Sequence, residues 1–306
     1  MGPATLQLFA NSECNLACWF CNTRQRRKET PHPPVSAEMV NLVLEAFPSI
    51  RKVWIGGTGE PLLHPQLPEL LEAIHARGVR LHITTNGTKV LERQDLPWSL
   101  VETITVSLLE ANEERYKQAT GTKHFDTVIK GIEFLVGAVE SVELARVVTR
   151  DTVEDMKAFL ELAHDLGAHG VSFRNISRCA GDDLKPFIEN TALHTGVEGL
   201  VDRMREVKAQ APAGLKIQWP RISDFSQPRG RLCWVLESML VVDGAGNMGC
   251  CCRGAGARPE FGNVSQGPSA WRSTALEAFR QRVRGPEHGR PVECQCCYVP
   301  YAEVAL

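Results

Sequence analysis

The sequence predicts an α/β protein built on a mostly parallel sheet. From Thr5 to about Asn175, short apolar runs alternate with amphipathic stretches, and those stretches repeat their apolar residues at helical spacing. With 306 residues, the chain is long enough for one large domain and a small one.

The candidate strands are Thr5–Ala10, Lys52–Gly56, Val79–Thr84, Thr103–Leu108, Val142–Val148 and Gly170–Ile176. Between them, Val40, Val43, Leu44 and Phe47 fall at i, i+3, i+4, i+7, which is one face of a helix. Leu67, Leu70, Leu71 and Ile74 do the same, as do Phe125, Val128, Ile129 and Ile132, and then Met156, Phe159, Leu160 and Ala163. Ser36 is placed to cap the first helix, and Gly78 and Gly167 to stop two others. Strand–helix units of this kind suit either a partial barrel or an open doubly wound sheet, and both put the reactive site at the carboxyl ends of the strands.

After Ser177 the pattern loosens. A loop around Gly181, Asp182 and Asp183 precedes a helix marked by Val197, Leu200, Val201 and Met204, and Pro212 and Pro220 punctuate the stretch before Arg231. From Cys233 the chain becomes rich in cysteine and glycine. The predicted division is a core over 1–176, a substrate-covering connector over 177–231 and a small module over 232–306.

Composition narrows the function classes. Hydrophobic residues make up 43% and charged residues 23%, ordinary for a globular protein, and the net charge of −2 without a long basic stripe argues against nucleic acid as a partner. No apolar run is long enough to span a membrane. Eleven cysteines form an odd count with consecutive members at 250–252 and 296–297, and the chain opens without a signal-peptide pattern. A reducing compartment, the cytoplasm, is expected.

Cys14, Cys18 and Cys21 follow the first strand directly. A cluster held by only three thiolates leaves one iron without a protein ligand, open to a small molecule. Two other readings fit the spacing: a helix with three cysteines on its core face, and a three-thiolate zinc site. After the second strand comes Gly56–Gly57–Thr58–Gly59–Glu60–Pro61, where glycines let backbone approach a ligand; after the third comes Thr84–Thr85–Asn86–Gly87. Together and in this order, these three motifs resemble the radical SAM superfamily.

The resemblance implies a partial (β/α)6 barrel and a [4Fe–4S] cluster on Cys14, Cys18 and Cys21. Its free iron binds S-adenosylmethionine, which is split to a 5′-deoxyadenosyl radical. It implies cofactor contacts from Gly56, Gly57, Gly59, Glu60, Thr85 and Asn86, with Ser107 and Arg174 at later strand ends placed to meet the ribose or carboxylate. Cys233, Cys251, Cys294 and Cys297 resemble the ligands of a second [4Fe–4S] cluster in the twitch, or shortened SPASM, domain of these enzymes. A four-thiolate zinc site fits the same spacing.

The likeness is strongest to aminoglycoside-pathway members. It implies a small aminoglycoside substrate and a flavodoxin or ferredoxin reductant, with the basic run Arg24–Gln25–Arg26–Arg27–Lys28 as its docking patch or simply a solvated face. Asp182, Asp183 and Glu189 are candidates for binding ammonium groups. Cys179 and Cys296 read as packing residues, and His64, His82 and His124 as structural.

Cys250 and Cys252 flank a presumed ligand in a loop expected to face the barrel mouth. A thiol there can return a hydrogen atom to a substrate radical, which points to an epimerase with Cys250 as donor and Cys252 as the alternative; the ligand itself could be any of the three adjacent cysteines. Dehydrogenation of an aminocyclitol alcohol and peptide modification are the other activities the resemblance allows.

Overall fold

Six strands form where the apolar runs predict them: β1 (Thr5–Phe9), β2 (Lys52–Ile55), β3 (Arg80–Thr85), β4 (Thr103–Val106), β5 (Ser141–Val148) and β6 (Gly170–Asn175). They pair in chain order and all in parallel. The computed structural model describes residues 2–21, 23–176, 190–224, 226, 233, 235–251, 256–285, 291, 294, 297, 302 and 303. Cys179, Asp182, Asp183, Glu189, Cys252 and Cys296 lie outside these residues, as do the side chains of Gln25, Arg26 and Arg27.

The crossover helices include α1 (Arg24–Glu29), α2 (Ala37–Ala46), α3 (Leu67–Ala76), α4 (Glu113–Thr120), α5 (Phe125–Val136) and α6 (Asp155–Asp165). Ser36 caps α2 by accepting the Met39 N–H at 3.2 Å. Just beyond α3 and α6, Gly78 and Gly167 take φ of +66° and +71°, where glycine carries no Cβ penalty. Sequence periodicity missed α4, a polar helix that starts at the Asn112 cap and stops at Gly121 with φ +79°.

The two faces of this sheet differ in chemistry. Leu6, Leu8, Val53, Ile55, Leu81, Ile83, Ile104, Val106, Leu144, Val171 and Phe173 are buried in one core with the helices. The alternate residues, Gln7, Phe9, Trp54, His82, Thr84, Thr105, Ser172 and Arg174, share the opposite face. Polar side chains at these positions are paired across strands: Trp54 Nε1 donates to Thr84 Oγ1 at 2.9 Å, and His82 Nε2 lies 2.8 Å from Thr105 Oγ1.

Both sheet edges carry strands beyond the six. The expected connector supplies β7 (Lys216–Gln218), which pairs in parallel with β6 after the helix Leu200–Ala209, and β8 (Ser223–Asp224). The cysteine-rich tail extends the same sheet. Its β9 (Met239–Asp243) runs parallel to β1, and β10 (Asn247–Gly249) and β11 (Arg258–Asn263) follow antiparallel, giving a ten-stranded order β11-β10-β9-β1-β2-β3-β4-β5-β6-β7. The β9–β10 turn forms because Asp243 Oδ1 accepts the Ala245 and Asn247 N–H groups and Gly246 takes φ +77°. A helix over Thr274–Arg284 follows, as Ala275, Phe279 and Val283 predict. The last described strand, β12 (Ala302–Glu303), pairs with β8.

Candidate active site

A cleft of about 310 Å³ opens at the carboxyl ends of the parallel strands, a volume in the range of small-ligand sites. Cys14, Cys18 and Cys21 line it together with Gly57, Gly59, Glu60, Thr85, Asn86, Ser107 and Arg174. The structure thus gathers residues from the ends of five strands into one wall. Of the residues expected at the cofactor, only Gly56 does not line the cleft; its carbonyl accepts Gln7 Nε2 at 3.0 Å.

The three loops are joined by direct hydrogen bonds. Asn86 Nδ2 donates to Asn15 Oδ1 at 2.9 Å, and Asn15 Nδ2 donates to Thr88 Oγ1 at 2.8 Å, so the third turn holds the cysteine loop. Asn11 Nδ2 donates to the Glu60 carbonyl at 2.9 Å, and the Glu60 N–H donates to the Glu13 carbonyl at 2.6 Å, which ties the glycine turn to the same loop. At Gly59, with φ +64°, an added Cβ would sit 2.1 Å from Asn11 Oδ1; at Gly57, with φ +118°, it would sit 2.5 Å from Phe9 Cε1. Neither position has room for a side chain. The Ser107 N–H donates to the Thr85 carbonyl at 2.8 Å and closes the wall at the fourth strand.

Glu60 is a brace within this wall. Its carboxylate accepts Thr85 Oγ1 at 2.6 Å, the Asn86 N–H at 2.7 Å and the Leu62 N–H at 3.0 Å. Burial pushes its pKa up, and these three donors oppose the shift. The Glu60 side chain, expected to meet the cofactor and itself part of the cleft wall, thus also fixes the turns beside it.

The three thiols offer the soft sulfur donors that iron–sulfur clusters take, and none of the described cysteines is in a disulfide. Among the described residues, no three His, Cys, Asp or Glu groups converge tightly enough to hold a single metal ion. Cluster ligands sit on separate irons, so thiols arranged along a cleft wall fit a cluster.

The described cysteines of the second set are not among the residues that line this cleft, although Cys233 packs with Trp54 and Phe9 on one apolar cluster. Cys233 has its pKa pushed up to about 11 by burial and then by neighbouring Cys251 and Cys297, which places these three near one another. The Cys297 N–H donates to the Cys294 carbonyl at 3.3 Å, a single turn.

Cys250 is fully buried in the helix-side core, and its pKa is pushed up to about 12 by burial, then by Cys251. It does not face the barrel mouth, contrary to the expectation for its loop. β10 runs antiparallel to β9, and its Gly249 pairs with Val241, itself beside Gln7, so Cys250 follows at the amino-terminal end of β1.

His64 is a core residue: its Nδ1 accepts the Gln66 N–H, which leaves Nε2 to donate to the Val35 carbonyl at 2.9 Å. His82 is stacked on Trp54, with its pKa lowered to about 3 by burial and then by Lys52 and Arg174. His124 precedes α5 without capping it. Motif spacing missed Gln7, a cleft residue whose signal was a polar side chain inside an otherwise apolar strand.

With this geometry established, the sequence model of the radical SAM superfamily matches residues 11–163, half of the chain. The chain belongs to the radical SAM superfamily and is a radical SAM enzyme. It is 30% identical over 169 residues to a probable GTP 3′,8-cyclase of Methanococcus maripaludis, covering 54% of this chain and 56% of that protein. A probable GTP 3′,8-cyclase of Saccharolobus islandicus is 29% identical over 232 residues, 70% of this chain and 72% of that one. The chain thus spans little more than half the length of the Methanococcus relative it matches.

Among solved structures, anSMEcpe with bound AdoMet and a Cp18Cys peptide aligns with a TM-score of 0.65 at 14% identity, over 98% of this chain and 88% of that one. Streptococcus suis SuiB bound to S-adenosylmethionine also aligns with a TM-score of 0.65, at 16% identity over 91% and 66%. These likenesses establish the fold. Among the described residues no helix is long and apolar enough to cross a membrane.

Proposed function

We propose that the chain is a radical SAM epimerase that inverts one ring carbon of an aminoglycoside sugar, in the manner of a neomycin C epimerase converting neomycin C to neomycin B. The observation that carries this reading is one cleft that joins the Cys14–Cys18–Cys21 loop to a polar inner sheet face, in a chain whose tail has more thiols than a four-ligand cluster needs.

Cys14, Cys18 and Cys21 would hold the radical SAM cluster, and Cys233, Cys251, Cys294 and Cys297 an auxiliary [4Fe–4S] cluster. With S-adenosylmethionine and one electron from the reductant, the first cluster would supply a 5′-deoxyadenosyl radical able to take a hydrogen atom from the ring carbon and leave as 5′-deoxyadenosine. The polar inner face orients the sugar beneath the cleft. Gly57 and Gly59 would bring backbone against the cofactor's methionyl end, and Ser107 and Arg174 would meet its ribose or carboxylate.

Cys250 is the proposed hydrogen donor, with Cys252 as the alternative. Burial keeps the Cys250 thiol in its S–H form, the form a hydrogen-atom donor needs. The S–H bond breaks as the new C–H bond forms on the opposite face of the ring, leaving a thiyl radical. One electron and one proton restore the thiol, the electron coming from a flavodoxin or ferredoxin. For Cys250 this assignment requires its sulfur to pass from the helix-packed face to the cleft.

The relatives named GTP 3′,8-cyclases suggest a nucleotide substrate instead. Two arginines line the described cleft; Arg146 Nη2 is held by Glu110 at 2.8 Å and Asp155 at 3.4 Å, while its Nε and Nη1 are buried without hydrogen-bond partners. That is little cationic provision for a triphosphate, and it supports a neutral or cationic substrate.

The test is anaerobic incubation of the reconstituted protein with S-adenosylmethionine, reductant and neomycin C in deuterated water, followed by mass and NMR analysis. The expected product gains one mass unit, with deuterium at a single inverted carbon. Loss of two mass units from an aminocyclitol alcohol without deuterium uptake would establish a dehydrogenase in its place.

A further inference from the structure

Gln7 points to a recognition element that no cysteine or glycine motif supplies. It is the central residue of β1, fully buried, and it lines the cleft. Its amide orientation is fixed from one side, because Nε2 donates to the Gly56 carbonyl at 3.0 Å and only nitrogen can do so. Oε1 is then an acceptor with no hydrogen-bond partner.

The surrounding inner face makes this unpaired acceptor specific. Trp54 is paired with Thr84, His82 with Thr105, and Ser172 with Gln218 at 3.0 Å. Among the inner-face side chains described, Gln7 alone has a buried polar atom left without a partner; Arg146, which lines the same cleft from the helix-side register, has Nε and Nη1 unpaired, and both are donors. Such groups are rare in folded proteins because the lost hydrogen bond with water is not replaced. The position is also closely built, since an added Cβ at Gly57 would lie 2.7 Å from Gln7 Nε2.

We propose that Gln7 Oε1 accepts a hydrogen bond from a hydroxyl or ammonium group of the substrate and thereby sets its position on the inner face. The inference rests on the aminoglycoside reading and deepens it. An amide oxygen pairs only with a donor. Gln7 therefore selects for hydroxyl- or amine-bearing rings and against phosphate or carboxylate at this point.

The test is calorimetric binding of neomycin C to the anaerobically reconstituted, S-adenosylmethionine-loaded protein without reductant. Gln7→Leu is expected to weaken neomycin C binding about 5- to 100-fold, with the affinity for S-adenosylmethionine and the cluster absorption unchanged. Gln7→Met keeps the length of the side chain and removes the acceptor, so it should weaken neomycin C binding by a similar factor. It serves as the second variant if Gln7→Leu fails to fold.

Unchanged neomycin C binding by a folded Gln7→Leu or Gln7→Met protein overturns the assignment. Loss of S-adenosylmethionine affinity in Gln7→Leu with neomycin C binding intact overturns it in favour of a cofactor contact. A parent protein that does not bind neomycin C refutes the aminoglycoside reading itself, a result distinct from any of these.

Discussion

The two cysteine-bearing regions are held by opposite means. Around Cys14 the polypeptide is fixed by polar contacts between loops: Asn86 holds Asn15, Glu60 holds Thr85 and Asn86, and Asn11 holds the glycine turn. Around Cys250 and Cys251 it is fixed by packing, with a short hairpin laid on the edge of β1 and an apolar core beneath it. The first arrangement shapes a cleft before any ligand arrives, which is what directed chemistry on a reactive radical demands. The second provides a buried thiol with cysteines nearby. On the proposed reading, generating the radical and returning the hydrogen would place different demands on the scaffold.

The largest effects should separate the two regions by product. Cys14→Ala is expected to reduce 5′-deoxyadenosine formation to background while leaving the circular dichroism spectrum unchanged. Cys250→Ala should still form 5′-deoxyadenosine in the presence of substrate but yield no inverted sugar; full epimerisation by this variant would falsify the donor assignment. Iron analysis adds a third contrast: about eight irons per chain are expected in the parent and about four in Cys233→Ala. Zinc in place of iron at both sites would refute the cluster assignments.

Smaller effects test how each region is held. Glu60→Ala leaves the Thr85 hydroxyl and two backbone N–H groups without their acceptor, and a loss of at least about 3 kcal/mol is expected in chemical denaturation. In the tail, Asn263 accepts the Ser265 N–H at 3.1 Å and donates to the Ala245 carbonyl at 2.9 Å, and both contacts are exposed. Asn263→Ala should cost only about 1 kcal/mol, as for other exposed caps. Equal losses in the two variants would mean that the cleft wall is no more tightly braced than the tail.

Much of the core was legible because parallel strands and their helices announce themselves by local pattern. Each of the six strands lies within a residue or two of its apolar run, and Ser36, Gly78 and Gly167 act where their chemistry predicts. The cysteine loop, the glycine turn and the Thr85–Asn86 turn were legible as a set, since each follows a strand on the same side of the sheet.

What escaped depends on pairing rather than composition. Lys216–Ile217–Gln218 is too short and too exposed to read as a strand until β6 lies beside it. That Cys250 sits at the far end of β1 comes from the antiparallel return of β10, which no local spacing encodes. Glu60 was readable as a motif residue but not as a brace, because its three donors come from residues on both sides of it in space. Gln7, His82, Thr84 and Ser172 were visible as polar residues within apolar strands. That alternation marks a polar inner face, since strands buried in apolar surroundings on both sides read as continuous apolar runs.

The last expected effect is one of pH, and it concerns that inner face. His82 has its pKa lowered from an ordinary 6.5 to about 3, chiefly by burial and then by Lys52 and Arg174, so in the folded protein the ring is neutral at physiological pH. A depressed pKa of this kind contributes stability above pH 6.5, and that contribution is lost as pH falls toward 3, because only the unfolded chain takes up the proton. The slope contributed is at most about 1.4 kcal/mol per pH unit. His82→Gln can keep a hydrogen bond to Thr105 but cannot titrate. Its stability should fall less steeply than the parent's between pH 6.5 and 4, and parallel curves would show that the ring is not shielded as its burial implies. The neutral ring also matters to the proposed substrate: a charged His82 beside Arg174 would place a second cation on the face that must receive a polyamine.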